Sequence, residues 1–408
     1  MPRIETKGMP KDSLSQRPIY LDNQATTPVD PLVLEAMLPY FIEHPGNPSS
    51  KSHLYGWEAE AAVKHARQTL AKAINAHLEE IIFTSGASEA NNLAIKGIAE
   101  TYLQKGRHLV TVQTEHNAVL EPCRYLEKLG FEVTYLPVQG QGLIDLQQLE
   151  TALRPDTVLV SVMAANNETG VLQPLAEISA LCCRHQVLLH TDAAQALGKI
   201  PLDIQAIPVD LMSLTAHKLY GPKGIGALYP RRGIRISPQL HGGGQEQGRR
   251  SGTLATPLIV GFGKAVELAL ADYEEENQRL SQLRDHLWAQ LQVLEGIYLN
   301  GHLTERLPGC LNISVSGVDG TRLVRSLQPH VALSSGSACA SANPKPSHVL
   351  TALGRDPQLA RASLRFGIGR FNTLDQINQV AQTVIQVVTA LRGKAPEQPA
   401  TEAAALGD

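Results

Sequence analysis

Long apolar runs are missing from this 408-residue chain. None approaches the roughly 18 residues that a membrane-spanning helix needs, so a helical membrane protein is excluded. An excess of either charge is missing too: with a formal net charge of −3 there is no electrostatic case for binding nucleic acid or an anionic membrane surface. Cysteine is scarce, at five residues, and the odd number argues against a disulfide framework. The segment Met1–Arg17 is polar, carries Pro2 and Pro10 and has no apolar centre, so it does not read as a secretory signal. Together these features point to reduced thiols in a cytoplasmic setting. Cys182 and Cys183 are adjacent in a helical stretch and cannot by themselves make an ordinary metal site. They read, with Cys123 and Cys310, as buried structural thiols, and no metal site is expected. No internal repeat is visible.

What is present describes a globular protein: 43% hydrophobic and 18% charged residues. The chain is too long for one compact core, so two domains are expected. We place a large one at 18–260 and a small one at 261–392, the latter joined by the N-terminal segment 1–17. The tail 393–408 is Ala/Pro/Glu-rich and expected to be disordered.

From Glu80 to Tyr229 short β-rich runs alternate with helical patterns. The strands are Ile81–Thr84, His108–Gln113, Glu132–Pro137, Val158–Met163, Val187–Thr191, Val209–Leu214 and Ile225–Tyr229. Several are near-continuous Val/Ile/Leu runs, as in strands covered on both faces. Helical patterns fill Trp57–Ile74, Ser88–Gln104, Asn117–Leu129 and Pro174–His185. This alternation predicts an α/β fold with a mostly parallel sheet and ligands at the carboxyl ends of its strands. Gln239–Thr253, with five glycines, reads as a long loop, and one long helical stretch is expected from Pro257 to about Leu294. Strands near Cys310–Val315 and Leu364–Gly367 would belong to the small domain.

Polar clusters follow the strands. Ala216-His217-Lys218 stands at a strand exit, where desolvation can turn a lysine into a Schiff-base-forming amine. Thr84-Ser85-Gly86-Ala87-Ser88 joins a strand to a helix; it could seat a phosphate, or simply be a helix cap by Ser85 or Ser88. Asp192, before Gln195, could hold a pyridine nitrogen protonated, or cap a helix. His116 could stack on a ring and carry protons, and Asn167 lies in a further polar cluster, Asn166–Gly170. Strand ends converge in a parallel sheet, which favours the functional reading of all of these. Ser334–Pro344 has no bulky apolar residue, so Cys339 is expected on an exposed, mobile loop, 334–346. Arg365 can grip a carboxylate with two hydrogen bonds, or form a structural ion pair.

With these residues in hand, the chain resembles the cysteine desulfurases of the iron–sulfur-cluster and nitrogen-fixation type, which are pyridoxal-phosphate enzymes of the aspartate-aminotransferase fold. The similarity runs from about Tyr20 to Phe371 through YLDNQATTPVDP, GNPSSKSH, FTSGASEANNLAIKG, TEHNAVL, ANNETGVLQP, HTDAAQALGK, AHKLYGPKGIGALY, HGGGQEQGRRSGT, SSGSACASA and RFGIGR. The resemblance implies PLP fold type I, a large domain with a seven-stranded sheet and a smaller α/β C-terminal domain. It implies Lys218 as the Schiff-base lysine and Cys339 as the sulfur acceptor, able also to ligate a cluster transiently. Ala87, Ser88, Thr215 and His217 would touch the phosphate, as would Thr253 from the other protomer of a homodimer. Asp192 would meet the pyridine nitrogen, Gln195 the ring hydroxyl and His116 the ring face. Asn167 and Arg365 would bind the carboxylate of L-cysteine.

Thr215-Ala216 stands where Ser-Gly is frequent, and Ser88 where Thr is frequent; both keep the hydroxyl. The C-terminus does not resemble the tail that engages an iron–sulfur scaffold, so the protein receiving the sulfur stays open. Selenocysteine lyase activity, another fold-type-I reaction such as transamination, and a non-catalytic scaffold are the alternatives.

Overall fold

The computed structural model describes residues 17–335 and 346–393. Cys339, most of the expected loop 334–346 and the tail from Lys394 lie outside them. The strands are β1 (Ile19–Tyr20), β2 (Ile82–Thr84), β3 (His108–Val112), β4 (Glu132–Leu136), β5 (Thr157–Ser161), β6 (Leu188–Asp192), β7 (Leu211–Thr215) and β8 (Gly226–Pro230) in the first part of the chain. They are followed by β9 (Ile297–Leu299), β10 (Cys310–Val315), β11 (Val331–Ala332), β12 (Ser334–Ser335) and β13 (Ser363–Gly367).

The seven expected strands form one seven-stranded sheet in the order β2-β8-β7-β6-β5-β3-β4. Only β8 runs against its neighbours. Every residue of β3, β5, β7 and β8 is buried, which explains their unbroken apolar runs. Helices Ala87–Thr101 and Asn117–Lys128 cover one face with Leu93, Ile95, Ile98, Val119 and Leu126. Helices Leu54–Ala73, Leu175–Arg184 and Thr256–Ala271 join the core on the other.

A second core gathers β10 and β13 with helices Tyr273–Leu291, Gly320–Leu327 and Leu374–Gly393. Its antiparallel sheet has the order β12-β13-β10-β9. The start of the described chain belongs here: β1 pairs with β11, and Leu21 lies in this core. Among the described residues no helix is long and apolar enough to cross a membrane.

Two expectations need correction, and a third gains a detail. The helical stretch from Pro257 to Leu294 is two helices, Thr256–Ala271 and Tyr273–Leu291, parted at Asp272, whose φ of −116° and ψ of 31° leave the helical region. Cys183 is exposed while Cys123, Cys182 and Cys310 are buried, because Cys183 lies one residue off the apolar stripe that Ile178, Leu181 and Cys182 turn inward. Gln239–Thr253 is a loop pinned by a buried turn. Glu246 accepts two hydrogen bonds from Arg67, at 2.6 and 2.7 Å, and a third from the Phe83 amide at 2.9 Å. That triple contact holds Glu246 and Gln247 at φ of 49° and 58°, a region costly for residues with side chains.

Candidate active site

The carboxyl ends of β2, β3, β5, β6 and β7 open onto one cavity of about 650 Å³, a volume ordinary for small-molecule sites. Ala87, Ser88, His116, Asn167, Asp192, Gln195, Thr215, His217, Lys218 and Arg365, each singled out from the sequence, line it. Thr253 does not; it is exposed, beyond the pinned turn. A second cavity of about 560 Å³, between Tyr298, Arg322 and Arg392, has no lysine, histidine or cysteine among the described residues of its wall.

Lys218 ends the turn that leaves β7, with Thr215 and Ala216 buried before it. Its Nζ donates to the carbonyl oxygens of Gln24 and, at 2.8 Å, Ala25. Burial, then the charges of Lys199 and Arg365, lower its pKa to about 7 against the pull of Asp192 and Asp22. The amine is therefore poised to shed its proton near neutrality.

Asp192 closes β6, the parallel neighbour of β7, and is buried. Asn91 Nδ2 donates to its Oδ2 at 2.7 Å, and the Ala194 amide donates to its Oδ1 at 2.9 Å. Each carboxylate oxygen thus accepts one hydrogen bond. Behind it Glu115 is wholly buried; desolvation, then the Asp192 charge, push its carboxyl well above the usual carboxylate range. His116 caps the helix after β3 by accepting from the Ala118 amide through Nδ1 at 3.0 Å. In the neutral ring the proton is then on Nε2. Desolvation lowers the His116 pKa, Asp192 opposes that and Lys218 adds to it. His217 falls to about 4 through desolvation and the charges of Lys218, Lys223 and Lys199.

The helix after β2 begins at Ala87, and Gly86 is its cap residue with no side-chain bond. Neither Ser85 nor Ser88 caps it, so the free amides and partial positive charge of the helix start face the cavity. Gly86 has φ 152° and ψ 177°, a region essentially reserved for glycine, and an added Cβ would meet nothing within 4 Å. Gly86→Ala is expected to cost about 1–3 kcal/mol of stability through backbone strain alone; urea unfolding checks this, and an unchanged midpoint contradicts it.

Arg365, on β13, crosses from the small core. It donates to Asp22 Oδ1 and Ser334 Oγ, both at 2.7 Å, and to the Asn167 carbonyl at 3.0 Å. Its Nε and the Asn167 Oδ1 are buried without a partner among the described residues. The sequence analysis assigns no role to Asp22, Gln24 or Ala25. They act through main-chain carbonyls or at the far end of the chain, and neither leaves a local pattern.

The amine of Lys218, the carboxylate of Asp192, the uncapped helix start, the imidazole of His116 and the unspent Arg365 Nε suit a phosphorylated pyridine aldehyde and an amino-acid carboxylate. The donor set therefore fits pyridoxal 5′-phosphate.

The chain belongs to the aminotransferase class-V family, whose model matches residues 19–380; this family uses pyridoxal phosphate. Among its relatives, the cysteine desulfurase of Homo sapiens is 52% identical over 395 residues, 96% of this chain and 86% of that protein. "Cysteine desulfurase IscS" of Methylobacillus flagellatus is 54% identical over 382 residues, 93% of this chain and 94% of that protein. Of solved structures, a NifS-like protein superposes with a TM-score of 0.87 at 37% identity, covering 92% of this chain and all of that one. SspA in complex with cysteine gives 0.77 at 38% identity, covering 87% of this chain and all of that one.

Proposed function

We propose that the protein is a pyridoxal-phosphate-dependent cysteine desulfurase, converting L-cysteine to L-alanine and taking the sulfur onto Cys339 as a persulfide. The observation that carries this reading is the shared cavity of Lys218 and Asp192. Neighbouring parallel strands, β6 and β7, deliver an easily deprotonated amine and a doubly hydrogen-bonded carboxylate to one space.

Bound there, pyridoxal phosphate supplies an electron sink that activates the Cβ–S bond of the amino acid. Lys218 would anchor the cofactor and move the proton at the substrate Cα, for which its amine must be neutral. Asp192 keeps the ring nitrogen protonated. Ala87, Ser88, Thr215 and His217 hold the phosphate. Gln195 serves the ring hydroxyl with the Nε2 hydrogen that the Gln24 carbonyl, at 2.8 Å, does not take. His116 covers the ring and carries protons for the thiols. Asn167 and Arg365 bind the substrate carboxylate.

The Cys339 thiolate attacks the substrate sulfur: an S–S bond forms, the C–S bond breaks, and the electron pair stays on carbon, which takes up protons and leaves as alanine. No outside oxidant is required, because the sulfur gains the oxidation level that the carbon loses. A homodimer with Thr253 reaching the partner's phosphate, a sulfur acceptor such as an iron–sulfur scaffold, and a cytoplasmic location complete the proposal.

Incubation of the purified chain with L-cysteine tests it. A visible cofactor band and matched yields of alanine and, with a thiol reductant, sulfide are expected. A keto acid would indicate transamination, preference for selenocysteine would reassign the substrate, and a colourless protein would point to a scaffold. Cys339→Ala is expected to keep the band and lose alanine formation by ~10²-fold or more. Normal turnover in that variant would remove Cys339 from the reaction.

A further inference from the structure

The mechanism gives no task to Lys199, a buried cation next to the cavity. Lys199 ends the turn that follows β6, its amide bonded to the Ala196 carbonyl at 2.9 Å. Its Nζ donates to Gln195 Oε1 at 3.2 Å. With that oxygen taken by an ammonium, the Gln195 amide has one orientation: Nε2 must face the other way, and it donates to the Gln24 carbonyl at 2.8 Å. The same carbonyl receives Lys218 Nζ. The two lysines are thus joined end to end through one amide and one carbonyl, and both line a cavity of about 30 Å³ beneath the catalytic one.

Among the described residues no carboxylate pairs with Lys199. Glu276, on the wall of that lower cavity, bonds Arg370 at 2.9 Å instead, and Arg370 also reaches Asp30 at 3.0 Å. A buried cation set beside another without its own counter-ion destabilises the fold, and such arrangements cluster at functional sites.

We propose that Lys199 is a positioning residue for Lys218: it locks the Gln195 amide and, through it, the Gln24 carbonyl that receives Lys218 Nζ, while its charge repels a charge on Lys218. This rests on Lys218 being the cofactor-binding lysine. Two carbonyl acceptors by themselves favour the ammonium form of Lys218 and would leave it a poor base. Lys199 offsets that preference. Around Lys218 stand Lys199 and Arg365 as cations, Asp192 and Asp22 as anions, and the rings of His116 and His217. Around Lys199 stand Glu276, Cys310 and Arg365. Burial lowers the pKa of Lys199 to about 8, with Cys310 and Glu276 opposing the fall.

The test follows the proton on Lys218 without calling on turnover. The full-length chain, stripped of cofactor, is acetylated with acetic anhydride across a pH series, and the Lys218 peptide is quantified by mass spectrometry. Lys199→Met is expected to raise the midpoint of Lys218 reactivity by about one pH unit. Lys199→Arg, which keeps a cation and a donor for Gln195, is expected to leave the midpoint where it was. Should the Met variant fail to fold by circular dichroism, Lys199→Gln is expected to give the same rise.

A folded, uncharged variant with an unmoved midpoint overturns the proposal, as does an Arg variant that shifts as far as Met. Neither result touches the desulfurase reading, which fails separately if the wild-type holoenzyme makes no alanine from cysteine.

Discussion

Replacing Lys218 by alanine is expected to abolish the visible cofactor band and to lower turnover by at least ~10⁴-fold, since tether and proton carrier disappear together. Arginine in its place should not rescue. A guanidinium stays protonated throughout the usable pH range and offers no free amine. The absorption spectrum and the rate of alanine formation check both variants, and substantial turnover in Lys218→Ala would end the proposed mechanism.

The pH dependence follows from the same residue. Burial, Lys199 and Arg365 bring its pKa to about 7 from an ordinary lysine's 10.5. Below that point the amine carries its proton and cannot accept another; above it the base is free. The rate should therefore rise with pH through neutrality and level off, and a rise confined to the range above pH ~9 would contradict the assignment.

Asp192→Asn is the second large effect. The substitution keeps the shape of the side chain and removes the charge that the proposed mechanism sets against the ring nitrogen. An electrostatic partner of this kind is expected to be worth ~10²–10³-fold in rate. Because Lys218 keeps its amine, the cofactor band should remain, which separates this variant from Lys218→Ala. Asp192 also raises the Lys218 pKa, so the rising limb should move to lower pH in the variant. A variant with near wild-type turnover would show that Asp192 serves the fold alone, as the partner of Asn91 and the Ala194 amide.

The large sheet was legible because strands buried on both faces leave uninterrupted Val/Ile/Leu runs, and each of its seven strands lies within two residues of the expected span. Elements whose pattern is short or polar were not legible. Helix Leu146–Ala152 buries only Leu149, and the two-residue strands β1, β11 and β12 exist through their partners alone. The break at Asp272 carries no glycine or proline to announce it. Glu246 lies in a polar, glycine-rich stretch, and nothing local in the sequence shows that Arg67, far back in the chain, pairs with it in the interior.

The residue types and their order along the chain settle the chemistry on offer: a lysine, an aspartate, a histidine and a glycine-broken helix start, each following a strand. A parallel sheet then has little choice but to bring them together, since its strands end on one side. Folding in three dimensions settles how that chemistry is tuned. The carbonyl cradle of Gln24 and Ala25, the Asp22–Arg365 pair and the link from Lys199 to Lys218 all join segments distant in sequence or act through main-chain atoms. Long-range electrostatics and backbone acceptors depend on distance in space, and no local pattern of side chains encodes them.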